Sequence, residues 1–166
     1  MKIYLLRHAI AVTRGTEGYP NDDRPLTEEG AARMVKGAKG IANLVPGFDV
    51  LLTSPLIRAR ETAKITAKAF NGEAQIEECK HLLPGSSVTN LFSFLAKYKA
   101  QKRVLLVGHE PDLGYIASAL LFSETSVIEF KKGGLCCIDV SDMPPKEPGT
   151  LRWHVTPRQL RMFAKK

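Results

Sequence analysis

Two apolar runs in this 166-residue chain end alike: "YLLRHA" delivers Arg7 and His8, and "VLLVGHEP" delivers His109. A third, "DVLLTS", leads into "PLIRARETA", which carries Arg58. Two arginines and two histidines, with no carboxylate among them, suit a tetrahedral oxyanion. The planar fork of arginine grips phosphate through paired hydrogen bonds and keeps its charge at any working pH. Histidine can donate to phosphate oxygens or, when neutral, attack phosphorus through a ring nitrogen. Taken singly, each residue has an ordinary structural use; Arg58, for instance, could pair with Glu61 on its own helix for ~0.2–0.5 kcal/mol. An ordinary fold gives no reason for repeating them at successive strand ends, and the repetition predicts a phosphate-handling site.

Such a site needs strands that end at one edge. Short runs rich in Val, Ile and Leu alternate with longer amphipathic ones, the pattern of a mostly parallel sheet covered by helices on both faces. "KIYLLR", "DVLLTS", "RVLLVG", "SVIEF" and "LCCIDV" are predicted strands. A helix is expected over "LTEEGAARMVKGAKGIANLV", with Thr27 as N-cap and Glu28 and Glu29 in its first turn. Another is expected over "SPLIRARETAKITAKAF", capped by Ser54 with Pro55 at its first position and stopping at Asn71-Gly72. "VTNLFSFLAKYKA" and "PDLGYIASALLF" supply two more. Thr13 to Arg24, Leu83 to Ser87 and "DMPPKEPG" are expected to be loops. The predicted fold is α/β, a three-layer α/β/α sandwich, and residues 1–166 are expected to form a single domain. In open sheets of this kind ligands bind beyond the carboxyl ends of the strands, where Arg7, His8, Arg58 and His109 would converge.

Composition narrows the function. The chain is 44% hydrophobic and 25% charged, as globular proteins are, and no apolar run approaches the roughly 20 residues that span a bilayer. No secretory signal pattern opens the chain, so a cytoplasmic setting without membrane attachment is expected. Cys136 and Cys137 are adjacent in a predicted strand and point to opposite faces, so with Cys79 they are expected to be buried reduced thiols. The net charge of +7 favours an anionic partner. Nucleic acid is not expected, because the basic residues are dispersed and no recognised nucleic-acid motif accompanies the aromatics.

"LLRHA", "DDRPLTEEG", "SPLIRARETA" and "VGHEPDLG" occur in the order, and at about the spacing, of the histidine phosphatase superfamily, also called phosphoglycerate mutase-like. The chain most resembles the small SixA-type branch of phosphohistidine phosphatases. The likeness rests on Ala9 after the Arg-His pair, the Asp-Arg-Pro-Leu-Thr segment and a tail like "LRWHVTPRQLRMF", and it runs from Lys2 to about Met162. It implies that His8 is the nucleophile that becomes transiently phosphorylated. Arg7, Arg58 and His109 would hold the phosphoryl oxygens and stabilise the transition state, and no metal or other cofactor is implied. In larger members a carboxylate after the third strand protonates the leaving oxygen. Here that segment reads "IEECKHLLPGSS", with His81 where relatives tend to have Glu, so Glu78 or His81 is the candidate proton donor if there is one. An alkoxide leaves poorly without a proton, whereas the imidazole of phosphohistidine leaves once solvent protonates its ring. A missing acid would bias the enzyme towards N–P bonds.

The resemblance thus implies a phosphohistidine phosphatase in signal transduction, acting on a phosphorylated protein such as a histidine-phosphotransfer domain. One alternative is a phosphatase for a small phosphate ester; another is a non-catalytic module that binds phosphorylated protein. The chain lacks long insertions that could close over a small molecule, although Thr13 to Asp23 could form a short lid. Retention of His8 counts against a pure binding role. Asp22, Asp23 and Arg24 are expected to be structural, His154 a packing or surface residue beside Trp153 and Val155, and the basic tail from Arg158 through Lys166 a solvated face.

Overall fold

The computed structural model describes residues 1–71, 75–126 and 128–164, with residue 21 described by its backbone alone. The strands β1 (Lys2–Arg7), β2 (Val50–Thr53), β3 (Gln75–Glu78), β4 (Arg103–Gly108), β5 (Leu135–Asp139) and β6 (Thr150–Val155) form one sheet in the order β3-β2-β4-β1-β5-β6. The four strands from β3 to β1 run parallel, and β5 and β6 are antiparallel additions. The helices are α1 (Glu28–Leu44), α2 (Ile57–Lys68), α3 (Val88–Leu95), α4 (Asp112–Leu120) and α5 (Pro157–Phe163).

Alternate side chains of the central strands feed two cores. Tyr4, Leu6, Leu105 and Val107 face α1, α2 and α5, while Ile3, Leu5, Val104 and Leu106 face α3 and α4. A sheet covered on both sides explains why β1, β2 and β4 are continuous apolar runs with no polar alternation. After β1 the chain crosses to the α1 face, and after the neighbouring β4 it crosses to the α4 face. That divergence opens a crevice between the carboxyl ends of β1 and β4, the position where open α/β sheets bind ligands. Among the described residues no helix is long and apolar enough to cross a membrane.

The three-layer α/β/α architecture agrees with expectation, and several elements differ. "SVIEF" forms no strand over residues 128–130, and its Val127 lies outside the described residues. β3 is an edge strand with mostly exposed polar side chains, so it lacks the apolar signal of its neighbours. α5 lies where a solvated tail was expected; Thr156 and Gln159 form a reciprocal capping box around Pro157, and Leu160 is buried. Lys165 and Lys166 lie outside the described residues. α2 starts at Ile57, with Leu56 rather than Ser54 in the cap position, and it ends at Lys68, with Gly72 outside the described residues. Thr27 caps α1 as expected, accepting from Gly30 N. Cys79, Cys136 and Cys137 are free and buried.

α1 packs against α5 so closely that a Cβ on Gly40 would stand 1.8 Å from the Leu160 carbonyl oxygen, whereas one on Gly37 would meet nothing within 4 Å. Gly40→Ala is therefore expected to lower the urea midpoint by an amount worth about 1–3 kcal/mol, and Gly37→Ala to raise it by up to about 1 kcal/mol. Equal effects from the two would contradict this packing.

Candidate active site

The site is built from strand ends held level by backbone hydrogen bonds. Arg7 lies opposite Gly108 in the β1–β4 pairing, and His8 N donates to the Gly108 carbonyl at 3.0 Å. Ser54 N donates to Val107 O at 3.0 Å, which brings the end of β2 to the same level. His8 and His109 consequently face each other, with ring centroids 5.2 Å apart and planes at 53°. They are only 7% and 3% exposed.

The tautomer of His8 follows from its partner. Its Nδ1 lies 2.7 Å from the Ala9 carbonyl oxygen, which can only accept, so Nδ1 carries the proton and Nε2 carries the lone pair. Burial pushes the His8 pKa down to about 3, against the Ala9 hydrogen bond, and the charges of His109, Arg58 and Arg7 lower it further. His109 is likewise pushed down to about 3, by burial first and then by Arg58. Both rings are neutral at physiological pH, and His109 Nε2 is hydrogen-bonded to Ser54 Oγ at 2.8 Å.

The two arginines are held by different means. Arg7 Nη1 donates to the Phe130 carbonyl at 2.5 Å, and Arg58 donates from Nη1 to the Asp22 carbonyl (2.9 Å) and from Nη2 to its carboxylate (2.8 Å). The side chain of Arg58 is 3% exposed. Arg7 Nε, Arg58 Nε and His109 Nδ1 are buried without a protein hydrogen-bond partner. Arg60 Nε, Arg103 Nε and Asp112 Oδ2 are unpaired too, but among the described residues only around this crevice do three such donors gather, and there they suit an anion. Among the described residues no group of three or more His, Cys, Asp or Glu side chains could hold a metal ion.

Arg7, His8, Arg58 and His109 therefore come together as the motifs predicted. The surroundings correct one expectation: carboxylates do stand at the margin. Asp22 accepts from Arg24 (2.7 Å) and Arg14 (3.3 Å) as well as from Arg58. Burial alone would raise its pKa, but the hydrogen bonds from Arg24 and Arg58 hold it well below the usual carboxylate range. Glu110 accepts from Phe130 N at 2.8 Å and so fixes the carbonyl that Arg7 uses. Arg58 does not pair with Glu61, whose carboxylate instead accepts from Leu26 N at 2.6 Å. The candidate donors are otherwise engaged: Glu78, opposite Thr53 at the end of β2, is 52% exposed and pairs with Arg60 (3.0 Å), while the His81 ring lies 5.2 Å from Phe94.

Sequence reasoning missed Ser54 and underrated Asp22. Ser54-Pro55 resembles a cap and first turn; the serine hydroxyl accepts from Leu56 N at 3.4 Å just before α2 and is also hydrogen-bonded to His109 Nε2 at 2.8 Å. "DDR" resembles a solvated loop; its signal was an acidic residue near a basic cluster whose charges needed a partner. His154 is exposed and packs its ring 5.1 Å from Phe130.

The fold is a phosphoglycerate mutase-like α/β/α fold, with the histidines and arginines gathered at the crevice between β1 and β4. Residues 3–82 match the family described as the histidine phosphatase superfamily (branch 1). An uncharacterised protein of Picosynechococcus is 38% identical over 139 residues, covering 81% of this chain and 82% of that one. The phosphohistidine phosphatase SixA of Escherichia coli is 23% identical over 98% of both chains. The structure of the protein histidine phosphatase SixA complexed with tungstate superposes with a TM-score of 0.83 at 24% identity, over 96% of this chain and 99% of that one. The alpha-ribazole phosphatase of Shigella flexneri shares the fold with a TM-score of 0.75 at 16% identity, over 95% and 97%. The chain belongs to the histidine phosphatase superfamily and is similar to its SixA proteins.

A buried neutral pair has a measurable titration. Without an anion, the ring protons of His8 and His109 are expected to show no NMR midpoint above about pH 5, because both pKa values lie far below the ordinary value near 6.5. Saturating sulfate should raise both midpoints by about one unit or more, since a nearby dianion favours the imidazolium. Midpoints near 6.5 that ignore sulfate would contradict this electrostatic picture.

Proposed function

We propose that residues 1–166 form a single domain that acts as a phosphohistidine phosphatase on a phosphorylated protein, through a covalent phospho-His8 intermediate and without a metal. The observation that carries this reading is the state of His8: neutral, with Nδ1–H locked onto the Ala9 carbonyl, so that the Nε2 lone pair is available. Attack in line on phosphorus forms the Nε2–P bond as the bond to the substrate's ring nitrogen breaks. The His8 ring becomes cationic as it gives up its electron pair, and its Nδ1–H bond to the carbonyl strengthens because the donor is now charged. Arg7, Arg58 and His109 supply donors to the equatorial oxygens, where charge is greatest in the transition state. Water then displaces His8 and releases inorganic phosphate.

Asp22 has a positioning role. It anchors the buried Arg58 through two hydrogen bonds while leaving Nε unpaired. The departing imidazole takes its proton from solvent, a reading supported by the engagement of Glu78 with Arg60 and by the exposure of both. A small phosphate ester is the second reading, favoured by the shared fold of the alpha-ribazole phosphatase.

Catalytic efficiency on a phosphohistidine protein, a phosphoserine peptide and small alkyl and aryl phosphates, measured side by side, tests the substrate class. The phosphohistidine protein is expected to rank first, aryl phosphates to accelerate steeply as their leaving groups become more acidic, and alkyl esters to be nearly inert. A small alkyl ester in first place would overturn the proposal. Glu78→Gln and His81→Ala are expected to change efficiency on phosphohistidine by no more than about threefold; a loss of about 10²–10⁴-fold would reveal a general acid.

A further inference from the structure

A groove of about 520 Å³ adjoins the candidate site on the α1 side of the sheet, and Arg7, Ala9 and Ile10 form its inner wall. Arg7, Arg33, Lys131, Lys132, Arg158 and Arg161 line it, with no carboxylate among the lining residues. Ile10, Met34 and Pro157 contribute apolar surface between the cations. The turn carrying Lys131 and Lys132 is tied to the nucleophile strand, because Gly133 N donates to both the Arg7 and the His8 carbonyl. A second hollow of about 590 Å³ shares Arg33, Arg158 and Arg161 and adds Lys36; its one carboxylate, Glu29, is already paired with Arg33.

The basic path is thus longer than one ligand pocket. Each hollow alone has the volume of a small-molecule site, about 300–1,000 Å³, but the two adjoin and share three arginines. Here two adjoining hollows lead away from Arg7 along α1 and α5, over cations whose charges have few partners. Like charges brought this close repel one another, which an acidic ligand would relieve. The apolar surface between them suits side chains of a polypeptide better than a bare anion.

We infer that this groove docks an acidic polypeptide segment of the phosphorylated substrate protein, next to its phosphohistidine. The inference rests on the phosphohistidine reading above and adds a rule of substrate choice: carboxylates near the phosphorylated histidine, with an apolar residue between them, raise efficiency. Arg7 connects the two regions, touching the phosphoryl group at one end and the acidic segment at the other.

Two synthetic peptides test this, each with one phosphohistidine, the first flanked by Asp, Glu and Leu and the second by Gln, Ser and Leu in matched order. The acidic peptide is expected to be hydrolysed at least about tenfold more efficiently at low salt, mostly through KM, with the advantage shrinking as salt rises. Lys132→Glu/Arg158→Glu should abolish the preference, and Lys132→Ala/Arg158→Ala should reduce it. Lys64→Glu/Lys99→Glu, with the same change in net charge elsewhere on the surface, should retain it. Equal efficiency on both peptides, or a preference that survives reversal at Lys132 and Arg158, would overturn the groove. Hydrolysis of neither peptide beside turnover of an aryl phosphate would remove the phosphohistidine reading, and this inference with it.

Discussion

The parallel pairing of β1 with β4 sets Arg7 opposite Gly108, and the geometry of the site depends on that register. Both strands are apolar on both faces, so side-chain polarity along their length does little to prevent slippage. Their ends do this instead. At the amino end Lys2 lies 3.4 Å from Asp139, and Asp49 accepts from Lys102 N, Arg103 N and the Arg103 side chain. At the carboxyl end Gly133 binds the carbonyls of Arg7 and His8, and His8 N binds Gly108 O. A slip of β1 by one residue would turn His8 away from His109 and part Lys2 from Asp139, which would keep only its partner on β6, Arg152, and the chain's amino end nearby.

The second constraint is electrostatic. Arg58 is almost fully buried and Arg7 half-buried, beside two histidines that burial keeps neutral. Burying an unpaired charge is costly, and the protein offsets this only in part, through Asp22 at Arg58 and the Phe130 carbonyl at Arg7. The donors left over are matched to an oxyanion. In the proposed reaction these same donors meet the charge that spreads over the transferring phosphoryl group, so they are in place before the chemistry and need little rearrangement during it.

Much of this was legible in the sequence because apolar strands buried on both faces are unmistakable and because Arg7, His8, Arg58 and His109 sit in ordered motifs. Thr27 was legible as a cap, since its hydroxyl accepts from Gly30 N as the sequence suggests. The polar edge strand β3 was not, because its pairing with β2 depends on backbone hydrogen bonds rather than on buried side chains. α5 was overshadowed by its basic residues, although Thr156-Pro157 and Gln159 encode its start. Ser54 and Asp22 escaped because their partners lie 55 and 36 residues away, and only the folded sheet brings His109 and Arg58 to them. The end of β3 and the turn after it showed the reverse: Glu78 and His81 drew attention by their position in the motif order, and the fold engages them with Arg60 and Phe94.

The central claim is that His8 carries the phosphoryl group between substrate and water. Quenching the enzyme with alkali during turnover, where phosphohistidine survives, and mapping the phosphorylated peptide by mass spectrometry tests it most directly. Phosphate is expected on His8 in the wild type, still on His8 but more slowly in His109→Ala, and nowhere in His8→Ala, which should be inactive. Phosphate on His109, or turnover that persists in His8→Ala, would contradict the account.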